Sequence, residues 1–270
     1  MKKNMCKLVS LLLVLVLALC GCNNVEETVP ETTQPVETQA PAITTEADAR
    51  AALEAGGLVE LGADIALSNE LVVSNNVLNC GGYTITGPQV VEGDATTENA
   101  ITVIDGTVEN VVVKGVYRGI GDRKGSGANG DVRLKNVNVD CDTYVLNFGY
   151  GNGQAGLYVE NSTLSGWTSY TKFKEALFTN CTFTWNEGGD NGNLRPYNDT
   201  TLVGCKFVGR TEADGTVTPF NINFKSGSSG VTLVLDNCYV GDTLITEENI
   251  QQLLSVEAYG NTITVRNSTT

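Results

Sequence analysis

One eight-residue pattern recurs along the chain and limits what it can fold into. Its clearest copy is Ala176-Leu177-Phe178-Thr179-Asn180-Cys181-Thr182-Phe183. It returns as Val132-Arg133-Leu134-Lys135-Asn136-Val137-Asn138-Val139 and as Leu157-Tyr158-Val159-Glu160-Asn161-Ser162-Thr163-Leu164. Two more copies are Thr200-Thr201-Leu202-Val203-Gly204-Cys205-Lys206-Phe207 and Leu233-Val234-Leu235-Asp236-Asn237-Cys238-Tyr239-Val240. Number the Asn or Gly in the middle as zero. Positions −2 and +3 are then apolar in every copy, and +1 is Cys, Val or Ser. A continuous strand alternates faces with period two, so −2 and +1 would point to opposite sides. Both carry the buried class, so alternation must break at zero. Asn and Gly enter the left-handed backbone region most cheaply, and one such residue turns the chain between two strands. The pattern therefore predicts strand, one-residue corner, strand. It buries both Phe178 and Phe183 and turns Thr179 and Thr182 to solvent.

Fainter copies extend the series, with Gly82, Gly115 and Asn267 in the corner position. Their spacing is irregular around a fixed core, which is how strands of constant length joined by variable loops appear in sequence. That is the signature of a coiled β-solenoid. A third strand per coil is predicted at Phe220-Asn221-Ile222-Asn223-Phe224-Lys225, with Tyr144-Val145-Leu146-Asn147-Phe148 as its echo. The glycine-rich stretch 118–130 shows no clear third strand.

Three strands per turn with Asn at one sharp corner resembles the right-handed parallel β-helix of the pectate-lyase-like superfamily, over about residues 58–270. The resemblance implies an all-β solenoid of about seven to eight coils and a corner ladder through Asn136, Asn161, Asn180 and Asn237. It concerns architecture, and this superfold hosts many unrelated functions.

The ends of the chain read differently. Lys2, Lys3 and Lys7 precede the apolar run Leu8 to Leu19, which is too short to span a bilayer comfortably. This is a secretory signal over residues 1–21. It closes on Leu19-Cys20-Gly21-Cys22, which resembles the lipobox of bacterial lipoproteins and implies a lipid on Cys22. The expected address is extracellular, at the outer face of the bacterial cytoplasmic membrane. Residues 22–45 are rich in Thr, Glu, Pro and Gln without an aromatic, and are expected to form a disordered, extended acidic tether. The β-helix domain follows over residues 46–270. It opens with a capping helix from Thr45, its N-cap, to Gly56. A second helix is predicted over 246–254, with Thr246 as cap and Ile250, Leu253 and Leu254 as apolar stripe.

Composition narrows the chemistry. Removing residues 1–21 leaves 14 Lys and Arg against 31 Asp and Glu, a net charge of −17, which disfavours nucleic acid as a partner. There is no histidine, so histidine catalysis and His metal sites are excluded. Cys181, Cys205 and Cys238 share one repeat position and should stack as small apolar core residues. With Cys80 and Cys141 they make an odd set without Cys-x-x-Cys spacing, so no metal is assigned.

The candidate binding surface is the outer face of the third strand and its flanking loops. It gathers Asn147, Asn221, Asn223 and Lys225 with Lys172, Lys174, Arg195 and Tyr197. Trp185, Glu187 and Asp190 lie on the longest glycine-rich loop of the central coils. In the superfamily this face is where sugar polymers lie. A surface-anchored lipoprotein binding glycan or another cell-surface partner without catalysis is therefore expected, with no cofactor. A polysaccharide lyase or hydrolase acting on acidic glycans is the alternative, and only that reading would call for calcium. Lys and Arg are present for it, but a clustered set of acids is not: Asp140 and Asp142 read as solvated outer-face residues. A structural or adhesive module is a third reading, for which the same polar residues simply solvate an exposed sheet. No catalytic residue is named.

Overall fold

The computed structural model describes residues 42–88, 99–224 and 228–268. Residues 1–21, Cys22, most of the tether and Lys225 lie outside the described residues. The fold is mostly β, with two helices and a large sheet of 21 strands in which nearly every pairing is parallel.

Three series of parallel pairings run through the sheet, and their members alternate along the chain. Series A joins 57–60, 76–79, 106–109, 132–135, 156–160, 175–179, 200–203, 232–236 and 262–266. Series B joins 65–66, 84–86, 112–114, 137–139, 163–165, 182–184, 206–207 and 239–240. Series C joins 71–73, 101–103, 120–121, 144–148, 167–170, 193–196, 221–223 and 255–257.

The register sets the repeat side by side. Leu134, Val159, Phe178, Leu202 and Leu235 are successive partners in series A. Val139, Leu164, Phe183, Phe207 and Val240 are successive partners in series B. Between the two, Asn136, Asn161, Asn180 and Asn237 have φ of 53°, 49°, 53° and 52°, and Gly204 has 62°. Asn110 also holds φ 54°, and its amide accepts from Asn136 Nδ2 at 2.9 Å and donates to Asn79 Oδ1 at 3.0 Å. Asn180 Nδ2 reaches Asn161 Oδ1 at 3.4 Å. A Cβ at position 204 would lie 2.6 Å from Asn180 Oδ1, which accounts for glycine in that corner.

Phe178 and Phe183 are both 0% exposed. Their rings pack 5.5 Å apart, and Phe183 continues to Phe207 at 5.4 Å and to Phe220, just before strand 221–223 of series C, at 6.3 Å. Cys181, Cys205 and Cys238 are buried and free, and their thiols lean on the carbonyls of Val159, Phe178 and Leu202 at 3.4, 3.5 and 3.5 Å. Burial pushes the Cys80 thiol up to about 12, and that of Cys141 well above its ordinary value, so both stay protonated and inert.

Five details differ from the sequence reading. The corner assigned to Gly115 belongs to Asn110: Val108 pairs with Leu134 and Val111 with Val137, which makes the true copy 106–113. Gly115 sits instead at a register shift two residues past Val113. Asn267 pairs across from Asn237 but does not take the left-handed conformation. Stretch 118–130 does supply a third strand, because Ile120 pairs with Ile101 and Leu146. The second helix spans only Ile250–Leu253, since Asn249 turns its Oδ1 back to the Thr246 amide at 2.8 Å and holds 247–249 in a turn. Thr179 and Thr182 are half-buried rather than fully solvated.

The first helix, α1 (Glu46–Ala55), is capped by Thr45, whose Oγ1 accepts from the Asp48 amide at 3.2 Å, and ends at Gly56 with φ 87°. Ala49 and Leu53 pack it onto the core. Ile43, in the stretch read from sequence as a tether, bridges to Leu61, and its carbonyl accepts from the Gly62 amide at 2.8 Å. Among the described residues no helix is long and apolar enough to cross a membrane.

Candidate functional site

Series C presents its own alternation. Leu146, Thr168, Leu194 and Ile222 point into the core and are buried. Two outward columns flank them; on strand 144–148 a register shift leaves the buried Val145 between Tyr144 and Leu146. The first runs Tyr144, Trp167, Asn193, Asn221, Ser255. The second runs Asn147, Ser169, Arg195, and continues on the next strands with Asn223 and Glu257. Adjacent strands lie about 4.8 Å apart, so each column is a row of side chains at that spacing.

An arginine–aromatic cluster occupies one end. The Arg195 guanidinium lies 3.8 Å from the centroid of the Trp167 ring, and its Nη1 reaches Tyr144 OH at 3.4 Å. Tyr144 meets Trp167 edge-on at 5.1 Å, and Arg118 lies 5.2 Å over the Tyr144 ring. Such contacts contribute about 0.5–2 kcal/mol each and hold the planar guanidinium in one orientation. At the other end Asn221 Nδ2 donates to Glu257 Oε1 at 3.1 Å, and Tyr259 OH donates to Glu257 Oε2 at 2.8 Å. These two bonds, Asn221 foremost, together with Asn223 and the positive charge of Arg195, outweigh burial and hold the Glu257 carboxyl below the usual range, so it is ionised at neutral pH. Asn193 Oδ1 and Asn221 Oδ1 are buried with no donor among the described residues.

Of the residues singled out from sequence, Asn147, Arg195, Asn221 and Asn223 share this face. Lys172, Lys174 and Tyr197 do not: they follow strands 163–170 and 193–196, on the connections leading to series A. Lys172 there has φ 61° and accepts from the Gly153 amide at 2.8 Å. Lys225 lies outside the described residues. Trp185, Glu187 and Asp190 sit on loop 185–192, which folds back over the acidic pair instead of joining the face. Glu187 donates its amide to Asp140 Oδ1 at 3.2 Å, and Asn186 and Asn191 donate to the Asp142 carbonyl at 3.3 and 2.6 Å. Burial, with Glu187 nearby, raises the Asp140 pKa above its ordinary value, so Asp140 is more than a solvated surface acid. Among the described residues no three acids or thiols come together as a metal-holding group.

Sequence reasoning missed Trp167, Asn193 and Glu257. Trp167 was hidden because strand Thr163–Tyr170 serves two series, B with 163–165 and C with 167–170. Gly166, at φ 140°, breaks the alternation between them. A shallow groove of about 430 Å³ runs along the asparagine corner, lined by Asn79, Gly82, Asn110 and Asn136. It holds amides and glycines without a titratable group, so the richer chemistry is that of the series C face.

The chain matches no protein-family model, no curated protein and no solved structure.

Proposed function

We propose that this chain is a surface-anchored bacterial lipoprotein whose domain winds as a right-handed parallel β-helix and binds glycan on the outer face of series C, without catalysing a reaction. Three parallel series whose members alternate along the chain, with a left-handed Asn or Gly between A and B, support the winding. The Lys-flanked apolar run and the Leu19-Cys20-Gly21-Cys22 box support the anchor, with residues 22–45 as spacer. A lipid on Cys22 is the membrane contact, and nucleic acid is not a partner.

The observation that carries the binding reading is the series C face itself. Side-chain amides, an indole, a phenol and a guanidinium stand in two columns on a rigid sheet, which fixes donors and acceptors at regular intervals. Sugar polymers offer hydroxyls and apolar ring faces at regular intervals as well, and a rigid site loses little entropy on binding them. Catalysis would require an acid and a base converging on one bond. Asp140 faces the amide of Glu187, and Glu257 is engaged by Asn221 and Tyr259.

A glycan array probed with the purified domain tests this, run beside reducing-sugar and unsaturated-product assays on each polymer bound. Retention of a glycan without product supports the reading. Product release would replace it with a lyase or hydrolase, and an array without signal would leave the structural or adhesive role. For the anchor, Cys22→Ala should move the protein from the membrane to the soluble fraction. Unchanged fractionation would refute lipidation at Cys22.

A further inference from the structure

We propose that the last strand of series A, Thr262–Arg266, is a docking edge for a second copy of this chain. The two copies pair antiparallel about Thr264 and form a closed, tail-to-tail dimer. The glycan-binding reading of series C neither supports this nor depends on it.

Thr262–Arg266 pairs with 232–236 on one side, and among the described residues no strand lies on its other side. The Thr262 amide donates to the Val231 carbonyl at 3.0 Å, and the Arg266 carbonyl accepts from the Asn237 amide at 3.0 Å. Bonding groups alternate along a strand. Residues 262, 264 and 266 therefore turn theirs toward 232–236, and the N–H and C=O of Ile263 and Val265 point to the open side. The inward side chains are left open as well. Leu233 and Leu235 are 0% exposed, but their register partners Ile263 and Val265 are only half-buried. Series C ends alike: Ile222 is 0% exposed and its partner Val256 is half-buried. Series B is followed instead by a covering segment, in which Ile245 and Ile250 are buried. At the opposite end the core is closed by α1 through Ala49 and Leu53. The C-terminal end is thus an unfinished core with four open backbone groups on one strand, and such an edge is a template for another strand.

Symmetry, charge and area together single out a second copy as the occupant. A twofold axis through Thr264 sets Ile263 of one copy opposite Val265 of the other, twice. Those are the residues whose backbone groups are open, so four hydrogen bonds form, and the inward side chains of both copies close one core. Because α1 covers the opposite end, head-to-tail stacking is blocked, and the contact closes as a dimer without running on into a filament. Charge permits the approach. Residues 258–268 contain no acid in a chain that has 31, and Arg266 is their one charged side chain. The two copies of Arg266 fall about four residue steps apart, ~13 Å, beyond strong repulsion at physiological salt. A five-residue strand is ~16 Å long, and the core with the sheet behind it is about 20 Å deep, so the pair buries roughly 800 Å². Stable complexes bury about 1,200 Å² or more, so this dimer is weak and concentration-dependent. The large net negative charge of each copy opposes it, and added salt relieves that repulsion.

The test is sedimentation equilibrium of the purified Cys22→Ala chain, which keeps lipid-driven clustering out of the measurement, from micromolar to millimolar protein. The mass should rise from one copy to two and stop there, and the rise should move to lower concentration as salt is added. Val265→Pro removes an N–H that the ladder within one copy does not use, so an edge strand tolerates it. It takes two of the four bonds from the dimer and should raise the dimer Kd about ten- to 100-fold. A melt checks that this variant folds. Crosslinking tests the register without disturbing the backbone. On oxidation with copper phenanthroline, Thr264→Cys should give a disulfide-linked dimer, because residue 264 faces its twin across the axis. Thr262→Cys should not, since it stands ~13 Å from its twin. The parent chain serves as blank for both. A single copy throughout the range, species larger than two copies, an unchanged Kd in folded Val265→Pro, or crosslinking of Thr262→Cys as readily as Thr264→Cys would overturn the docking edge.

Discussion

Truncating Phe183 to Ala should cost close to 5 kcal/mol, near the upper end of the range of about 3–5 for a buried aromatic. Three features of the site place it there. The side chain is 0% exposed, so the full transfer term is lost. It touches three rings: Phe178 at 5.5 Å in series A, Phe207 at 5.4 Å in series B, and Phe220, just before series C, at 6.3 Å. Each such pair adds about 0.5–1.5 kcal/mol beyond area burial. The neighbours also belong to parallel strands fixed by their ladders, so the cavity has little means of collapsing. Thr179→Ala is the control: it sits one residue from Phe178 on the same strand but is half-buried and should shift stability by about 0.5 kcal/mol or less. Urea unfolding followed by far-UV circular dichroism reads both, with m-values compared because stacked repeats can unfold in parts. A double-mutant cycle between Phe183 and Phe220 should return a coupling of about 0.5–1.5 kcal/mol, since the pair spans two series. A cost for Phe183→Ala below about 1.5 kcal/mol, or equal to that of Thr179→Ala, would refute burial of both phenylalanines about the Asn180 corner.

Other perturbations probe other parts of the fold. Asn180→Gly should be mild and Asn180→Val should cost about 1–3 kcal/mol, because a β-branched residue resists φ 53°; equal melting temperatures for the two would remove the corner. Thr168 is 0% exposed in the series C core and its hydroxyl has no partner among the described residues, so Thr168→Val should stabilise by about 1 kcal/mol and raise Tm by about 2–4 °C; a lower Tm would show that the hydroxyl is used. Burial alone would raise the Glu46 pKa, but Arg50 and the two bonds from Ser68 outweigh it and hold it at about 2 against an ordinary 4.5. A depressed carboxyl stabilises above its unfolded pKa, so docking of α1 should be complete above about pH 4.5 and fade as pH falls toward 2. The chemical shift of the Ser68 amide, which donates to Glu46 Oε2, should move through that window in the native chain and lose that titration in Glu46→Gln; a flat native titration would contradict the coupling.

The repeat was legible because burial of both −2 and +1 is incompatible with any continuous strand. That contradiction locates a corner to the residue, and it aligned five copies in the register the sheet adopts. Its failures have one physical source each. At 106–116 the run Val111-Val112-Val113 is apolar on both sides of the pleat. Periodicity alone therefore could not say whether it precedes or follows the corner, and the reading slid from Asn110 to Gly115. At the second helix, propensity favoured nine residues, but Asn249 spends its side chain on the Thr246 amide and the Leu244 carbonyl at 2.9 Å, a local turn that competes with helix.

The binding face was harder to read, for a reason that follows from the same geometry. In series A and B the corner fixes each residue against its neighbours in the repeat. Series C has no corner residue of its own; in some coils it follows series B after a loop, and in others within one continuous strand such as Thr163–Tyr170. Outer-face residues there can be recognised only once the inner column is known, and that column contains Thr168, a polar residue where the pattern expects an apolar one. With Thr168 taken as an outer residue, Trp167 becomes core and the platform beneath Arg195 disappears from view. Once Thr168 is inside, Trp167 falls between Tyr144 and Asn193, and Arg195 falls beside it on the next strand. The stacked guanidinium is thus a product of register, because the two residues lie 28 apart in sequence and meet only through the pairing of 167–170 with 193–196. Slipping that pairing by one residue would turn Arg195 into the core between Thr168 and Ile222. The apolar columns that forbid the slip also hold the arginine on the surface.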